Sequence, residues 1–227
     1  MKGLIYKDIA AIRSQLIGTL IILFFMYFMF FVAGGGSLIF AGNPLSDAEK
    51  FTVTMATNIC TFVGVVCFSP LSINNIIEDK QSGWIKYCRC SPLKRGSYSK
   101  AKIISTIIII SIYLIEGIIA KLVTVAVCGC SVELAFAVPL GFATFTATLM
   151  LPTVPLIQRF GRIIEFIYLV LVLVFAIVLG LITNGAMESN GAETALRIIS
   201  YGVVPVLAVV SGAVSLSISR KMEENDM

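Results

Sequence analysis

The sequence predicts an all-α integral membrane protein with six transmembrane helices, and three observations support this fold class. Of the 227 residues, 58% are hydrophobic and 13% are charged, about half the charged fraction of an average soluble domain. The apolar residues form six runs long enough to cross a bilayer, which takes about 20 residues in an α-helix. The basic residues lie between these runs, as they do in membrane proteins.

The six runs occupy most of the chain, so no loop is long enough to fold as a separate domain. We therefore expect residues 1–227 to form one transmembrane domain. The fourth run contains Pro139, Pro152 and Pro155. Because proline removes a backbone donor, this span is expected to be broken or re-entrant. The expected spans are Leu16–Val32, Phe51–Ile73, Ile103–Cys128, Val132–Ile157, Ile163–Ile182 and Ile198–Ile218.

The basic residues are divided unevenly between the two sides of the predicted bundle. With six spans, 14 of the 17 lysines and arginines fall on one side, and only Lys50, Lys121 and Arg197 fall on the other. Cytoplasmic loops carry the excess of lysine and arginine. We therefore expect a multi-pass protein of the plasma membrane with both termini in the cytoplasm.

Residues 1–15 predict a short amphipathic helix that lies in the membrane interface. Leu4, Ile5, Ile9 and Ile12 can share one face, with the basic residues elsewhere. A frayed basic leader is the alternative. A cleaved signal peptide is not expected, because the apolar run that follows is too long and leads into glycines where a cleavage site would be needed.

The sequence contains no histidine, which excludes histidine-dependent catalytic triads, HExxH zinc sites and a histidine pH switch. No span carries paired catalytic carboxylates, so an intramembrane enzyme is not expected. Cys88 and Cys90 form a C-x-C pair without the second pair that a zinc site needs, and no metal site is predicted. Cys128 and Cys130 are expected to face outward, where a bridge between protomers is conceivable but not predicted.

Two charged residues fall inside the third predicted span. Glu116 lies about two-thirds of the way across, where a charge is costly and usually faces a bundle interior or a cavity. Lys121 is nearer the outer surface and is expected to extend its ammonium group to water. The two are five residues apart, which is not an i,i+4 pair, so Glu116 needs a partner elsewhere, water or a proton.

A stripe of five polar residues runs along one face of span two. Two interpretations remain open: the stripe lines a translocation path together with Glu116, or its side chains hydrogen-bond to other helices and to their own backbone. In span six, Ser211, Ser215 and Ser219 are expected to serve helix packing. The residues of the span-two stripe are Thr54, Asn58, Thr61, Ser69 and Ser72.

The segment 74–101 between spans two and three is the most specific part of the sequence. It contains six basic residues, with Lys102 directly after it, the only tryptophan, Trp84, and Tyr87. We expect a short cytoplasmic helix ending near Cys90, then a break, then a helix that starts at Ser91-Pro92, because serine caps helices and proline suits their first position. Aromatic residues on a short cytoplasmic helix indicate burial at the interface or docking to a partner.

This arrangement resembles the permease subunits of type-2 ABC transporters. In that family an acidic residue closes span two, and a motif close to E-(D)-x-x-x-G-x-x-x-Y-x-x-x-x-P-x-x-R leads to a lysine that enters span three. The opening MKGLIYKDI is similar to the family's short basic leader with Lys-Asp, and the six-span layout agrees across the chain. The matching residues are Glu78, Asp79, Gly83, Trp84, Tyr87, Pro92, Arg95 and Lys102.

The resemblance implies the permease subunit of an ATP-driven exporter. The chain has no G-x-x-x-x-G-K-[ST] phosphate loop, so ATP and magnesium are expected on two copies of a separate cytosolic ABC ATPase. Six spans make half a transporter in this family, which implies a second permease chain, either identical or a close paralogue. Among small members the chain most resembles exporters of amphipathic peptides such as phenol-soluble modulins. No nucleic acid partner is expected.

The resemblance also implies roles for the loop residues. The short helix would be a coupling helix that docks on the ATPase, because aromatic anchors dominate interface energies and a desolvated charge needs a counter-charge. Other loop residues would anchor the loop to phospholipid or to the leader helix. The expected docking residues are Glu78, Asp79, Trp84 and Tyr87, and the expected anchoring residues are Pro92, Arg95 and Lys102.

Two other function classes remain open. An ion- or proton-coupled secondary transporter or channel could use Glu116 as its carrier, although the chain has no internal repeat and few intramembrane charges. A structural assembly factor is the second. ATP depletion and an uncoupler separate the ATP-driven exporter from the ion- or proton-coupled transporter, because each treatment abolishes only one source of energy.

Overall fold

The computed structural model describes residues 2–34, 45–90, 97–128, 132–164, 166–172, 174 and 204–225. Within these ranges the chain is helical and contains no strand. Residues 162–164 and 166–172 are helical in addition to the named helices. The named helices are α1 (Lys2–Gly34), α2 (Asp47–Phe62), a π-helical segment (Val63–Phe68), α3 (Leu71–Gln81), α4 (Trp84–Cys90), α5 (Ser97–Cys128), α6 (Val132–Phe160) and α7 (Val204–Asn225).

Four helical stretches within the described residues are long and apolar enough to cross a membrane. They coincide with the first four predicted spans, which confirms an α-helical membrane-type architecture. The fifth predicted span extends beyond the described residues, and the sixth is described only from residue 204, with a shorter apolar helix at Pro205–Ser219. The count of six therefore stays a prediction. The four stretches are Lys2–Ala33, Asp47–Gln81, Ser97–Val127 and Val138–Phe160.

The predicted leader helix and the predicted first span form one continuous helix, α1, in the structure. Its 33 residues correspond to about 50 Å at 1.5 Å per residue. The leader is therefore not a separate helix lying on the interface. Asp8 and Ile12, one turn apart, are both buried, so this face of the leader packs on the bundle instead of facing lipid.

The expected break in the fourth span is absent, since α6 runs from Val132 to Phe160 with all three prolines inside it. Pro152 and Pro155 cannot donate to the carbonyls four residues earlier, which belong to Thr148 and Leu151. The hydroxyls of Ser211 and Ser215 on α7 donate to these two carbonyls, at 2.8 and 2.6 Å. The packing role expected of Ser211 and Ser215 is thereby confirmed, and it satisfies the backbone groups that Pro152 and Pro155 leave open. The Ser219 hydroxyl is buried without a hydrogen-bond partner among the described residues.

The core lies between α1, the long α2–α3 stretch, α5 and α6. Tyr113 of α5 and Tyr168 are its largest fully buried side chains, and their hydroxyls bond to Thr19 at 2.6 Å and to the Val66 carbonyl at 3.1 Å. The Val66 carbonyl belongs to the π-helical segment. The outer side of α1 exposes large apolar side chains such as Phe24 and Phe28, as expected of a helix that faces lipid or another chain.

Candidate functional site

Two lysines and two aspartates meet at the end of the bundle where α1 begins, α3 ends and α5 begins. Lys102 Nζ lies 2.6 Å from Asp8 Oδ1 and 2.7 Å from Asp79 Oδ2, and Lys7 donates to the other oxygen of Asp79. Lys102, Asp8 and Asp79 are only 3%, 4% and 6% exposed. We call Lys7, Asp8, Asp79 and Lys102 the charge cluster.

Neighbouring polar groups complete the hydrogen bonding of the charge cluster. The Tyr98 hydroxyl donates to Asp79 Oδ2 at 3.0 Å, and the Ser105 hydroxyl lies 3.3 Å from Asp8 Oδ2. Asn75 Nδ2 donates to the backbone carbonyl of Asp8 at 3.1 Å. These residues follow helical spacing on each element, so one face of α3 and one face of α5 converge on the leader.

The short turn between α3 and α4 fixes where α4 leaves the cluster. The backbone N–H of Ser82 donates to the Glu78 carbonyl at 2.9 Å, and Gly83 has a φ of 75°. This left-handed conformation favours glycine, since other residues lack its freedom there. The glycine of the loop motif therefore has a structural reason: it allows α4 to start three residues after α3 ends.

Helix α4 presents one aromatic side chain outward and holds another against the chain. Tyr87 is 64% exposed, and its ring stacks on Trp84 with centroids 5.1 Å apart. Lys7 Nζ lies 4.4 Å from the centroid of the Trp84 ring, a distance typical of a cation–π contact. Trp84 thus joins the exposed tyrosine to the charge cluster through Lys7.

The other side of α4 faces the bundle. Ile85 and Cys88, three residues apart, are both buried. Burial raises the pKa of the Cys88 thiol, which favours an unreactive, structural cysteine. Helix α4 is therefore seated on the protein and is not a solvated loop.

The sequence-predicted loop residues fall into three groups. Glu78 and Tyr87 are exposed, Trp84 is half-buried, and Asp79 and Lys102 are buried in the charge cluster. Pro92 and Arg95, like the helix start predicted at Ser91-Pro92, lie outside the described residues. Helix α4 is described as far as Cys90, and the predicted end of the short helix near this residue stays a prediction, because residues 91–96 lie outside the described residues.

Sequence reasoning missed Lys7 and Asp8 as members of the cluster. Asp8 is the one acidic residue in the basic leader, and an acid on the face that holds Ile12 was the available signal. We assigned that face to lipid, which left no reason to look for a buried partner of Asp8. The charges it meets, Asp79 and Lys102, are more than seventy residues away in sequence.

The outer half of the span-two stripe contacts α5. Lys121 Nζ donates to Asn58 Oδ1 and lies 3.5 Å from the Thr54 carbonyl. Lys121 is buried, so the prediction that it extends to water is wrong. The oxygen atoms of Asn58 and Thr54 give its ammonium group acceptors within the bundle.

The inner half of the stripe bonds to its own helix. The Ser69 hydroxyl donates to the Val65 carbonyl, and the Ser72 hydroxyl lies 3.4 Å from the Ser69 carbonyl. Thr61 donates to the Thr57 carbonyl at 2.8 Å and also meets the Tyr27 hydroxyl of α1 at 3.1 Å. These contacts are those of helix packing, the second of the two interpretations of the stripe.

Glu116 occupies a different environment, between α1, α2 and α5. Its carboxylate lies beside the Tyr27 side chain. A Cβ placed on Gly64 would stand 3.4 Å from Oε2. Oε2 is buried and has no hydrogen-bond partner among the described residues. We call Glu116, Tyr27, Thr61 and Gly64 the Glu116 site.

Comparisons with protein-family models, with curated proteins and with solved structures found no match to this chain.

Proposed function

We propose that this chain is the permease subunit of an ATP-driven exporter that moves an apolar or amphipathic substrate out of the cell. A separate cytosolic ABC ATPase, present in two copies, binds ATP and magnesium and supplies the energy. A second permease chain, identical or a close paralogue, completes the transporter. The protein lies in the plasma membrane with both termini in the cytoplasm.

The observation that carries this proposal is the seating of α4. A seven-residue helix buries Ile85 and Cys88 and contacts α1 through Lys7 and Trp84, while Tyr87 remains exposed. Lys7 is itself paired with Asp79 of the charge cluster, which joins α4 to the spans through this one lysine. A helix that must transmit force has to be firmly joined to the spans and must offer an anchor to its partner. Exposed tyrosines are common anchors at protein interfaces.

Within this proposal the loop residues divide into docking and positioning residues. Tyr87 and the exposed Glu78 contact the ATPase, and Trp84 supports Tyr87 from beneath. Asp79 and Lys102 are positioning residues and not docking residues, because their charged groups are already paired inside the chain and are not offered to a partner. Movement of α4 is transmitted to α1 and α5 through these pairs and rocks the two permease halves between inward and outward states.

An exporter of amphipathic cargo also suits the rest of the surface. The described residues after α6, among them Phe166, Leu169 and Val174, expose large apolar side chains. The outer side of α1 does so as well, at Phe24 and Phe28. A path between such helices and a second permease chain would accept apolar groups more readily than hydrated ions or sugars.

Purification of the tagged chain from its native membrane tests the proposal. We expect it to carry a protein with a phosphate loop and to hydrolyse ATP, with hydrolysis stimulated by amphipathic peptides and not by sugars. Tyr87→Ala should lose the partner and the activity. Tyr6→Ala is the matched control, since Tyr6 is also highly exposed, on α1, and it should retain both.

The alternative, an ion- or proton-coupled transporter or channel, is favoured by one observation, the missing hydrogen bond at Glu116 Oε2. An acid without a partner inside a bundle is typical of ion and proton paths. Transport in vesicles separates the two proposals. Loss of transport on ATP depletion supports the exporter, and loss on addition of an uncoupler, with ATP present, supports the alternative and contradicts our proposal.

A further inference from the structure

The Glu116 site combines a carboxylate with hydroxyl groups at mid-span of the bundle. A charge there is costly unless it faces a partner or a cavity. Tyr27 and Thr61 contribute hydroxyls whose oxygens are 3.1 Å apart, and the Glu116 side chain is half-buried. The site is therefore polar, and the half-buried Glu116 and Tyr27 reach the surface of the bundle with part of their side chains, whereas Thr61 is fully buried.

The nearest lysine along α5 does not supply an ion pair to Glu116. Lys121 donates to Asn58 and approaches the Thr54 carbonyl, and both residues precede Thr61 on α2. Lys102, at the other end of α5, is held between Asp8 and Asp79. Each of these ammonium groups has its own acceptors, while Oε2 of Glu116 has no donor among the described residues.

The backbone opposite Glu116 is unusual. Gly64 lies in the π-helical segment Val63–Phe68, and π-helical turns occur frequently at functional sites. A side chain at position 64 would come within 3.0 Å of Leu23 and 3.4 Å of Glu116 Oε2. Glycine therefore lets Leu23 of α1 and Glu116 of α5 pack closely against the π-helical segment.

We propose that the Glu116 site binds the ammonium or guanidinium group of an amphipathic substrate, so that the protein selects cationic amphipathic molecules over neutral ones. This inference rests on the proposed export function and specifies its substrate class. The Glu116 carboxylate accepts a charge-assisted hydrogen bond from the cation, and the hydroxyl oxygen of the half-buried Tyr27 accepts a further one. The apolar part of the substrate lies along the neighbouring spans.

Peptide binding to the purified full chain in phosphatidylcholine nanodiscs tests this inference without any ATPase. The probes are a fluorescent amphipathic leucine–lysine peptide and its counterpart with glutamine in place of lysine. We expect the wild-type chain to bind the lysine peptide about tenfold more tightly, the size expected of one charge-assisted hydrogen bond. Glu116→Gln should abolish this preference and leave binding of the glutamine peptide unchanged.

Two further variants make the result specific. Glu116→Asp retains the charge and should retain most of the preference, which separates loss of charge from a failure to fold. Asp47→Asn removes an exposed acid at the start of α2 and should behave as wild type. An unaltered preference in Glu116→Gln overturns the inference, as does a wild-type chain that does not distinguish the two peptides.

Peptide binding and ATP hydrolysis, measured separately, keep the inference distinct from the proposed function. Charge-selective binding in a chain that never associates with an ATPase would support the Glu116 site and contradict the ATP-driven exporter. ATP hydrolysis stimulated equally by both peptides would support the exporter and contradict the Glu116 site.

Discussion

The charge cluster and the Glu116 site place ionised groups inside one bundle in opposite ways. In the cluster, Lys102 lies between two carboxylates, and a tyrosine, a serine and an asparagine supply further hydrogen bonds. At the Glu116 site a carboxylate oxygen is buried without a partner among the described residues. The hydrogen bonding of the first arrangement is complete within the chain. In our proposal, the cationic group of a substrate completes the second.

The difference teaches how to separate structural charges from functional ones. A buried ion pair contributes little net stability, but removal of one member costs about 3–5 kcal/mol because the other charge is left uncompensated. Removal of an acid that is in no ion pair leaves no opposite charge uncompensated. Substitutions should therefore lower stability at the cluster and alter binding at Glu116.

The largest expected effect is on stability at Lys102. Lys102→Met leaves Asp8 and Asp79 buried without their shared cation and should destabilise the chain by about 3–5 kcal/mol. Thermal unfolding in detergent, followed by size-exclusion chromatography, measures this loss. Lys50→Met, which removes an exposed pair with Asp47, should have little effect.

A compensated variant sharpens the same comparison. Asp8→Asn and Asp79→Asn, added to Lys102→Met, remove all three charges and should recover part of the lost stability, because no uncompensated charge remains. If the triple variant were less stable than Lys102→Met alone, the carboxylates would have a role other than pairing with this lysine.

The next effect concerns the seating of α4. Asp79→Asn weakens the contacts that hold Lys7 and Lys102 near α4, so the buried Cys88 should become accessible. In a chain whose other cysteines are replaced by serine or alanine, maleimide should label Cys88 faster in Asp79→Asn than in wild type. Glu78→Gln, an exposed neighbour, should leave the rate unchanged, and equal rates in all three chains would show that the cluster does not hold α4.

A smaller effect is expected where α7 meets the prolines of α6. Ser215→Ala removes the donor to the Leu151 carbonyl, which Pro155 leaves without its helical partner. Side-chain hydrogen bonds between membrane helices contribute about 0.6 kcal/mol on average. The same unfolding assay should detect a loss of this size, and Ser217→Ala, whose hydroxyl bonds within its own helix, should lose less.

The smallest stability effect is expected at the Glu116 site itself. Glu116→Gln removes a desolvated charge and leaves no counter-ion uncompensated. The thermal unfolding temperature should therefore stay the same or rise slightly. A fall comparable to that of Lys102→Met would mean that Glu116 is a structural charge, and the contrast between the two regions would be lost.

The sequence predicted the local features and missed those that join distant segments. Apolar runs predicted the first four membrane-length helices, and the segment after span two was correctly expected to contain a short helix, described at Trp84–Cys90. Composition and periodicity describe residues close in sequence, which explains both results. They left phospholipid and the leader helix open as anchors of Lys102, and they could not show that its partner is Asp8 of the leader, 94 positions away.

The errors have the same origin. Three prolines in one span predicted a break, but two of the carbonyls they leave open are satisfied by serines more than sixty residues away. Lys121 was expected to reach water. Its partner, Asn58, lies on another helix, and the spacing along one helix could not show that contact. For Glu116 the sequence did indicate that Lys121 is not its ion-pair partner, since the five-residue spacing excludes an i,i+4 pair.

Photocrosslinking from position 87 tests the central claim, that α4 is the contact with an ATPase, most directly. A benzophenone amino acid replaces Tyr87 in cells, and in a matched chain it replaces Tyr6, which is also highly exposed. The account predicts that only the position-87 chain forms an adduct with a protein that contains a phosphate loop, identified by mass spectrometry. Adducts with lipid alone at position 87, or the same protein adduct from position 6, would contradict it.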